Sequence, residues 1–182
     1  MTADGYVPDI AAVIGVPLAR AATIAAQYPL AAYPLPDVAF ETLVSDANFA
    51  CPALQIDRWT SRRVPTYAYQ FDDTNAPGRF APIPAATHSS ELQYLFDQPN
   101  DPIPGMLDPG QQALAASMRS AWVRFAAGRD PWPAFGTAER VLSLVPPQPQ
   151  VRTGSADAHH CGFWATSPAV PVHTAGRPSS ER

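Results

Sequence analysis

The sequence predicts an α/β protein built from short helices and a few short strands. Alternating aromatic residues indicate one strand, helical spacing with end signals indicates several helices, and 22 prolines recur along the chain. Hydrophobic residues make up 46% and charged residues 15% of the 182 residues, which is typical of a protein with a packed core. We therefore expect many short elements joined by turns and extended segments.

Two helices are predicted in the N-terminal third. The helix in VPLARAATIAAQYPL begins near Pro17 and ends at Tyr28-Pro29. The YPLP stretch from Tyr33 to Pro36 is predicted to be an extended connection. A second helix, in DANFACPALQIDRWTSRR, is expected to begin with Asp46 as its N-cap. Its apolar residues are spaced along one stripe: Phe49, Ala53, Ile56 and Trp59.

A strand followed by a histidine loop is predicted in the middle of the chain. The segment VPTYAYQF alternates, which puts Tyr67, Tyr69 and Phe71 on one face of a strand. A loop rich in proline, glycine and asparagine then runs from Asp72 to Thr87 and leads to His88. The segment SSELQYLF directly after it is predicted to form one or two helical turns.

The clearest helix signal is DPGQQALAASMRSAWVRFAAG. Asp108 is its predicted N-cap, Pro109 occupies the first helical position, and Gln111 stands where a capping box requires it. Gly128 is expected to end the helix. The predicted apolar face consists of Leu114, Met118, Ala121, Trp122 and Phe125. Further on, RVLSLV is predicted to form a short strand.

Composition excludes several classes of function. All twelve cationic residues are arginine, so a mechanism that needs a lysine base or Schiff base is excluded. The net charge is -4 and no basic stripe occurs, which argues against a nucleic-acid partner. No apolar run approaches the roughly 18 residues of a membrane span, and the N-terminus lacks a signal-peptide pattern.

His88 is the first candidate for chemistry. A loop that leaves a strand and presents a histidine just before a helix can place a general base at the edge of a sheet. A histidine on a polar loop is, however, more often structural or solvated than catalytic. On these residues alone both interpretations remain open.

Six short motifs, in order over roughly residues 40–165, add a resemblance. They are SDANFACP, VPTYAYQF, THSSELQYLF, MRSAWVRFAAG, PWPAF and HHCGFW. Together they resemble the C-terminal part of the type-B carboxylesterases, the family of cholinesterases and bacterial para-nitrobenzyl esterases. The resemblance implies an α/β-hydrolase fold, of which residues 1–165 would form an incomplete C-terminal part. The polar, proline-rich segment 166–182 is predicted to be a flexible tail.

The resemblance also implies roles for His88 and Glu91, which match the family's His-x-x-Glu element. His88 would take a proton from a serine during acylation and return it to the leaving alcohol. Glu91 is expected to serve the local structure, because the family's triad acid lies well upstream. Ala85, Ala86 and Ser89 replace glycines that usually flank the family's histidine, so a positive φ at any of them would strain the loop.

The family's other catalytic groups have no counterpart in this sequence. No Gly-x-Ser-x-Gly nucleophile elbow occurs, and Ser89 and Ser90 are too near His88 along the chain to pair with it. The early carboxylates Asp4 and Asp9 lack the surroundings expected of a triad acid. We therefore expect the chain to supply the triad histidine and to be inactive alone, for lack of a nucleophile and oxyanion donors.

The two cysteines, Cys51 and Cys161, would by themselves be read as reduced thiols. Within the resemblance, ACPAL and HHCGFW match cholinesterase segments whose cysteines join, which implies a disulfide and a secreted or extracytoplasmic location. The alternative is a metal site formed by His159, His160 and Cys161, with Cys51 or His173 as a further ligand. It is disfavoured because three consecutive ligands do not easily face one ion and the usual paired zinc spacings are absent. We expect no metal and no cofactor.

Two main classes of function remain open, beside a third, weaker option, a small standalone domain that reuses the helix-capped sheet edge. The first is a serine carboxylic-ester hydrolase that acts on a small-molecule ester, with His88 as its base. The second is a non-catalytic, esterase-like binding module or pseudoenzyme, since relatives of the cholinesterases include adhesion proteins without a working triad. An elbow serine and an acid encoded in frame upstream of Met1 would favour the hydrolase.

Overall fold

The computed structural model describes residues 1–77, 85–96 and 106–166 of the chain. These residues form helices and one small mixed sheet, so the predicted combination of helix and strand is confirmed, with helix predominating. The contacts divide the chain into two units, Met1–Leu54 with Ala156–Arg182 and Gln55–Ser155. From residue 167 onward, the segment predicted to be a flexible tail lies outside the described residues.

The elements are short, as the proline content predicts. The helices are α1 (Tyr6–Ile14), α2 (Leu18–Ala25), α3 (Pro36–Ser45), α4 (Cys51–Thr60), α5 (Leu92–Leu95), α6 (Pro109–Ala126), α7 (Ser155–Ala158) and α8 (Cys161–Ala165). A 3₁₀ turn covers Leu30–Ala32 and a π-helical turn covers Asp46–Ala50. The strands are β1 (Ala68–Phe71), β2 (Val141–Leu144) and β3 (Gln150–Arg152).

The first unit is built around an apolar cluster formed by its helices. Tyr6, Ile10 and Ile14 recur every four residues on α1 and are all buried. The cluster also contains Ala21, Ile24, Tyr28, Ala39, Leu43 and Trp164. The prediction of α2 is confirmed, whereas α1 was not predicted. The extended connection predicted up to Pro36 is wrong at its end, because Pro36 is the first residue of α3, where its fixed φ suits a helix.

The predicted N-cap role of Asp46 is wrong. Helix α3, the π-helical turn and α4 follow one another without a break, so Asp46 lies inside a helical segment. Its side chain is 2% exposed and takes part in the hydrogen-bond network described below. The predicted apolar stripe of this segment faces solvent, since Phe49, Ile56 and Trp59 are 69%, 54% and 58% exposed.

The second unit contains the sheet, in the order β1-β2-β3. Strand β1 is parallel to β2, with Ala68 opposite Val141, and β2 is antiparallel to β3. The predictions of β1, β2 and the helical turn at α5 are confirmed. The core beneath the sheet consists of Tyr94, Leu114, Ala115, Met118, Leu142 and Leu144.

Helix α6 begins as the sequence predicts. The Asp108 side chain accepts a hydrogen bond from the Gln111 backbone N–H at 2.8 Å, and the Gln111 side chain accepts one from the Asp108 N–H at 2.9 Å. The predicted capping box is therefore confirmed. Gly128 follows the helix with φ of 70°, a left-handed conformation that favours glycine.

Within the part of the chain that the structure describes, no single helix is long and apolar enough to cross a membrane. One bent helix pair, Tyr6–Ile14 with Leu18–Ala32, reaches the required length and composition only jointly, across a bend of 114°.

Candidate active site

His88 lies in a turn between the end of β1 and α5. The turn is closed by Thr87, whose carbonyl accepts hydrogen bonds from the Ser90 backbone N–H at 3.1 Å and from the Ser90 hydroxyl at 2.7 Å. Ser90 is buried, whereas His88 is exposed. No other residue that the structure describes forms a hydrogen bond or ion pair with the imidazole of His88. The ring is therefore accessible to an incoming group.

The backbone of this turn is strained at Ser89, whose φ is 67°. This left-handed conformation costs an ordinary L-residue about 1–2 kcal/mol. A positive φ at Ala85, Ala86 or Ser89 was expected to strain this loop. Among these described residues, Ser89 is the one that has a positive φ. A strained residue next to the candidate base keeps its conformation only because the surrounding structure holds it there.

The segment after His88 is held against α6. The Arg119 guanidinium donates a hydrogen bond from Nη1 to the Tyr94 carbonyl at 2.9 Å. The Gln93 amide nitrogen donates to the Pro77 carbonyl and, at 3.3 Å, to the Ser90 carbonyl. Tyr94 itself is fully buried, and its ring contacts the ring of Phe71 edge-on, with centroids 5.0 Å apart.

Glu91 is the residue that immediately precedes α5. Its side chain does not cap the helix, and its carbonyl accepts the Tyr94 backbone N–H at 3.0 Å. Burial, and after it the charge of Glu91, raise the pKa of the Tyr69 hydroxyl. The Glu91 carboxylate thus acts electrostatically on Tyr69, a residue of β1.

Ser90 and Ser143 do not form a nucleophile–base pair with His88. The Ser90 hydroxyl donates to Thr87, and Ser143, which is 2% exposed, donates to the Asp72 carboxylate at the end of β1. Both hydroxyls are therefore engaged within the fold. In the residues that the structure describes, neither hydroxyl is paired with His88, the candidate base.

The disulfide implied by the resemblance is present in the structure. Cys51 and Cys161 are bonded to each other, with their Cα atoms 5.3 Å apart. No thiol is left to bind a metal, and His159 is bonded to a carboxylate, so the alternative metal site is not formed by the described residues. His173, a further ligand considered for that site, lies outside the described residues.

A buried polar network beside this disulfide was not predicted. The Trp164 indole N–H donates to the Tyr28 hydroxyl at 2.7 Å, and that hydroxyl donates to Asp46 Oδ2 at 2.9 Å. Asp46 Oδ1 lies 2.7 Å from His159 Nδ1. Burial is the largest influence raising the pKa of Tyr28. Asp46 and His159 are 113 residues apart, so no local pattern could have revealed the pair.

The two remaining early carboxylates belong to the first unit. Asp4 is exposed in the turn before α1, and Asp9 lies in the first turn of α1. Neither position has the buried, hydrogen-bonded surroundings expected of an acid that orients a histidine.

Comparison with known proteins identifies a family. The model of the carboxylesterase family matches residues 36–164. Cocaine esterase of Homo sapiens is 28% identical over 135 residues, which are 69% of this chain and 24% of the human protein. Cocaine esterase of Oryctolagus cuniculus is also 28% identical over 135 residues, 25% of its length. The match thus spans about a quarter of each of these curated relatives.

Proposed function

This chain belongs to the carboxylesterase family, and we propose that His88 serves as the histidine of a serine carboxylic-ester hydrolase. The observation that carries the proposal is the placement of His88. Its imidazole is exposed at a turn that follows a core strand and is fixed by hydrogen bonds on its C-terminal side. A general base needs both features, because its ring must reach the reacting group and must keep a fixed orientation.

In the proposed reaction, His88 accepts the proton of a serine hydroxyl as that hydroxyl attacks the carbonyl carbon of a small-molecule ester. The imidazolium then returns the proton to the departing alcohol, and a water molecule repeats the cycle to release the acid. The serine, the acid and the oxyanion donors would come from polypeptide outside this chain, since its sequence has no Gly-x-Ser-x-Gly elbow. The chain alone is then inactive.

The family and the disulfide together support two further parts of the proposal. The two cocaine esterases are named for a small-molecule ester, and we extend that substrate class to this chain. The Cys51–Cys161 disulfide favours an extracytoplasmic location, because the cytosol keeps thiols reduced. Residues 1–165 would be the C-terminal part of the esterase domain.

Reconstitution tests this function. The chain is combined with an N-terminal esterase part that carries an elbow serine and an acid, and hydrolysis of p-nitrophenyl acetate is measured. We expect activity only from the mixture, and a loss of at least about 100-fold in kcat for His88→Ala. Glu91→Gln, three residues away, is the matched control and should retain most of the activity.

Full activity of the reconstituted His88→Ala protein would refute the proposed function. A complex that assembles without hydrolysing any short-chain aryl ester would favour the alternative, a non-catalytic binding module. Sequencing of the DNA upstream of Met1 distinguishes the same two classes, because only a hydrolase requires an elbow serine and an acid in frame.

A further inference from the structure

A buried carboxylate lies at the end of β1, where the chain leaves the sheet toward His88. Asp73 is 3% exposed. Its Oδ1 accepts a hydrogen bond from the Asn75 backbone N–H at 2.9 Å. Its Oδ2 accepts two more, from the Tyr94 hydroxyl and from the Gln111 amide nitrogen, the latter at 2.9 Å. A carboxylate is tolerated in such a place only when its oxygens are paired in this way.

The three donors come from three different segments of the second unit. Asn75 belongs to the loop after β1, Tyr94 to α5, and Gln111 to the first turn of α6. Gln111 is 4% exposed and is oriented on its other side by the capping box with Asp108. Its amide nitrogen also donates to the Asn75 carbonyl at 3.1 Å. Asp73 therefore joins the strand end, the helix after His88 and the start of the longest helix.

Three overlapping backbone hydrogen bonds, each between residues three apart, cover the chain from Tyr94 back to the His88 turn. The Tyr94 N–H donates to the Glu91 carbonyl at 3.0 Å, and the Leu92 N–H donates to the Ser89 carbonyl at 3.2 Å. The Ser90 N–H closes the turn on Thr87 at 3.1 Å. Tyr94 and the backbone that carries the imidazole therefore belong to one short hydrogen-bonded segment.

We propose that Asp73 is a positioning residue for His88. It fixes Tyr94 and, through it, the turn from which the imidazole projects. Only a carboxylate has two acceptor oxygens that can take all three of these donors at once. The inference rests on the proposed role of His88 for its functional meaning, whereas the mechanical link between Asp73 and the turn stands on the hydrogen bonds alone.

Amide hydrogen exchange of the intact chain, followed by NMR, tests the link without any activity. In Asp73→Asn a side-chain NH₂ group, which is a donor, replaces one acceptor oxygen, so at least one of the former donors loses its hydrogen bond. We expect the amides of Ser90, Leu92 and Tyr94 to exchange about 10- to 100-fold faster, the usual effect of leaving buried partners unpaired. The amides in the middle of α6 and in β2 should keep their protection.

Asp72→Asn is the matched control. Asp72 is the neighbouring carboxylate at the same strand end, and it accepts from Ser143 rather than from the His88 segment. It should leave the exchange of the turn unchanged. If Asp73→Asn does not fold, Tyr94→Phe replaces it, since that variant removes one donor and keeps the ring contact with Phe71.

Two results would overturn the proposal. One is unchanged exchange of the turn in both Asp73→Asn and Tyr94→Phe. The other is an equal increase at every amide, which would make Asp73 a general stability residue. In the reconstituted enzyme, Asp73→Asn should lower kcat and leave KM unchanged. Full activity of His88→Ala in the reconstituted enzyme would refute the proposed function. If His88→Ala is inactive and Asp73→Asn has unchanged activity, only the positioning role of Asp73 is refuted.

Discussion

Removal of the Cys51–Cys161 disulfide should cause a large loss of stability. The bond joins residues separated by 110 positions in sequence, so it restricts most of the unfolded chain. Cys161 is 7% exposed, and Cys51 packs against the apolar cluster of the first unit. The perturbation is the double substitution Cys51→Ala and Cys161→Ala, which removes the crosslink and adds no buried polar atom.

The chain-entropy relation gives the expected magnitude. For a closed loop of 110 residues it yields about 5 kcal/mol at 25 °C. For a chain of this length, such a loss lowers Tm by about 10 to 20 °C. The unfolded chain also expands once the crosslink is gone, so the dependence of the unfolding free energy on denaturant concentration should steepen.

Guanidinium unfolding provides the assay, followed by tryptophan fluorescence, to which the buried Trp164 of the first unit contributes. Wild type is measured with and without reductant, and the double variant serves as its own control, because reductant should not affect it. The reduced wild type and the variant should agree. A difference from oxidised wild type of less than about 1 kcal/mol would refute the reasoning.

Two further predictions concern single side chains in the second unit. The Arg58 guanidinium donates two hydrogen bonds to the Glu139 carboxylate, from Nε at 2.6 Å and from Nη2 at 2.8 Å, and they lower the pKa of that carboxyl. The ion pair therefore stabilises the folded chain above the ordinary glutamate pKa, and this stabilisation is lost as the pH falls through the pKa of Glu139 in the folded state. Glu139→Gln should cost about 0.5–1 kcal/mol in urea unfolding at pH 7 and progressively less as the pH is lowered, and a cost independent of pH would contradict this. Ser89→Gly should raise the unfolding free energy by about 0.5–1 kcal/mol, because it removes the cost of the positive φ at this position. Ser89→Ala keeps a Cβ atom and should change the unfolding free energy little. Equal effects of the two variants would be inconsistent with backbone strain at Ser89.

Features whose cause is local were predictable from the sequence. The start of α6 is set by Asp108 and Gln111, which lie three residues apart, and the structure has the capping box that this spacing requires. Strand β1 follows from alternating aromatic residues. His88 could be identified as a candidate because its strand, loop and helix are consecutive. The disulfide required the family resemblance, since spacing alone leaves two cysteines ambiguous.

Features whose cause is distant in sequence were not predictable. Asp46 has the residue type and the position of an N-cap, and its burial depends on Tyr28 and His159, which lie far away along the chain. The stripe with Phe49 and Trp59 has the period of a core face and yet is exposed. Asp73 is also inconspicuous in sequence, because its donors come from three separate segments.

The most direct measurement of the central claim is the burst of p-nitrophenolate when the reconstituted complex first meets p-nitrophenyl acetate. The burst reports acylation of the serine, the step in which His88 would take the proton. We predict one equivalent of p-nitrophenolate per complex for the wild type, and acylation at least about 100-fold slower for His88→Ala. A His88→Ala complex that acylates at the wild-type rate would contradict the account.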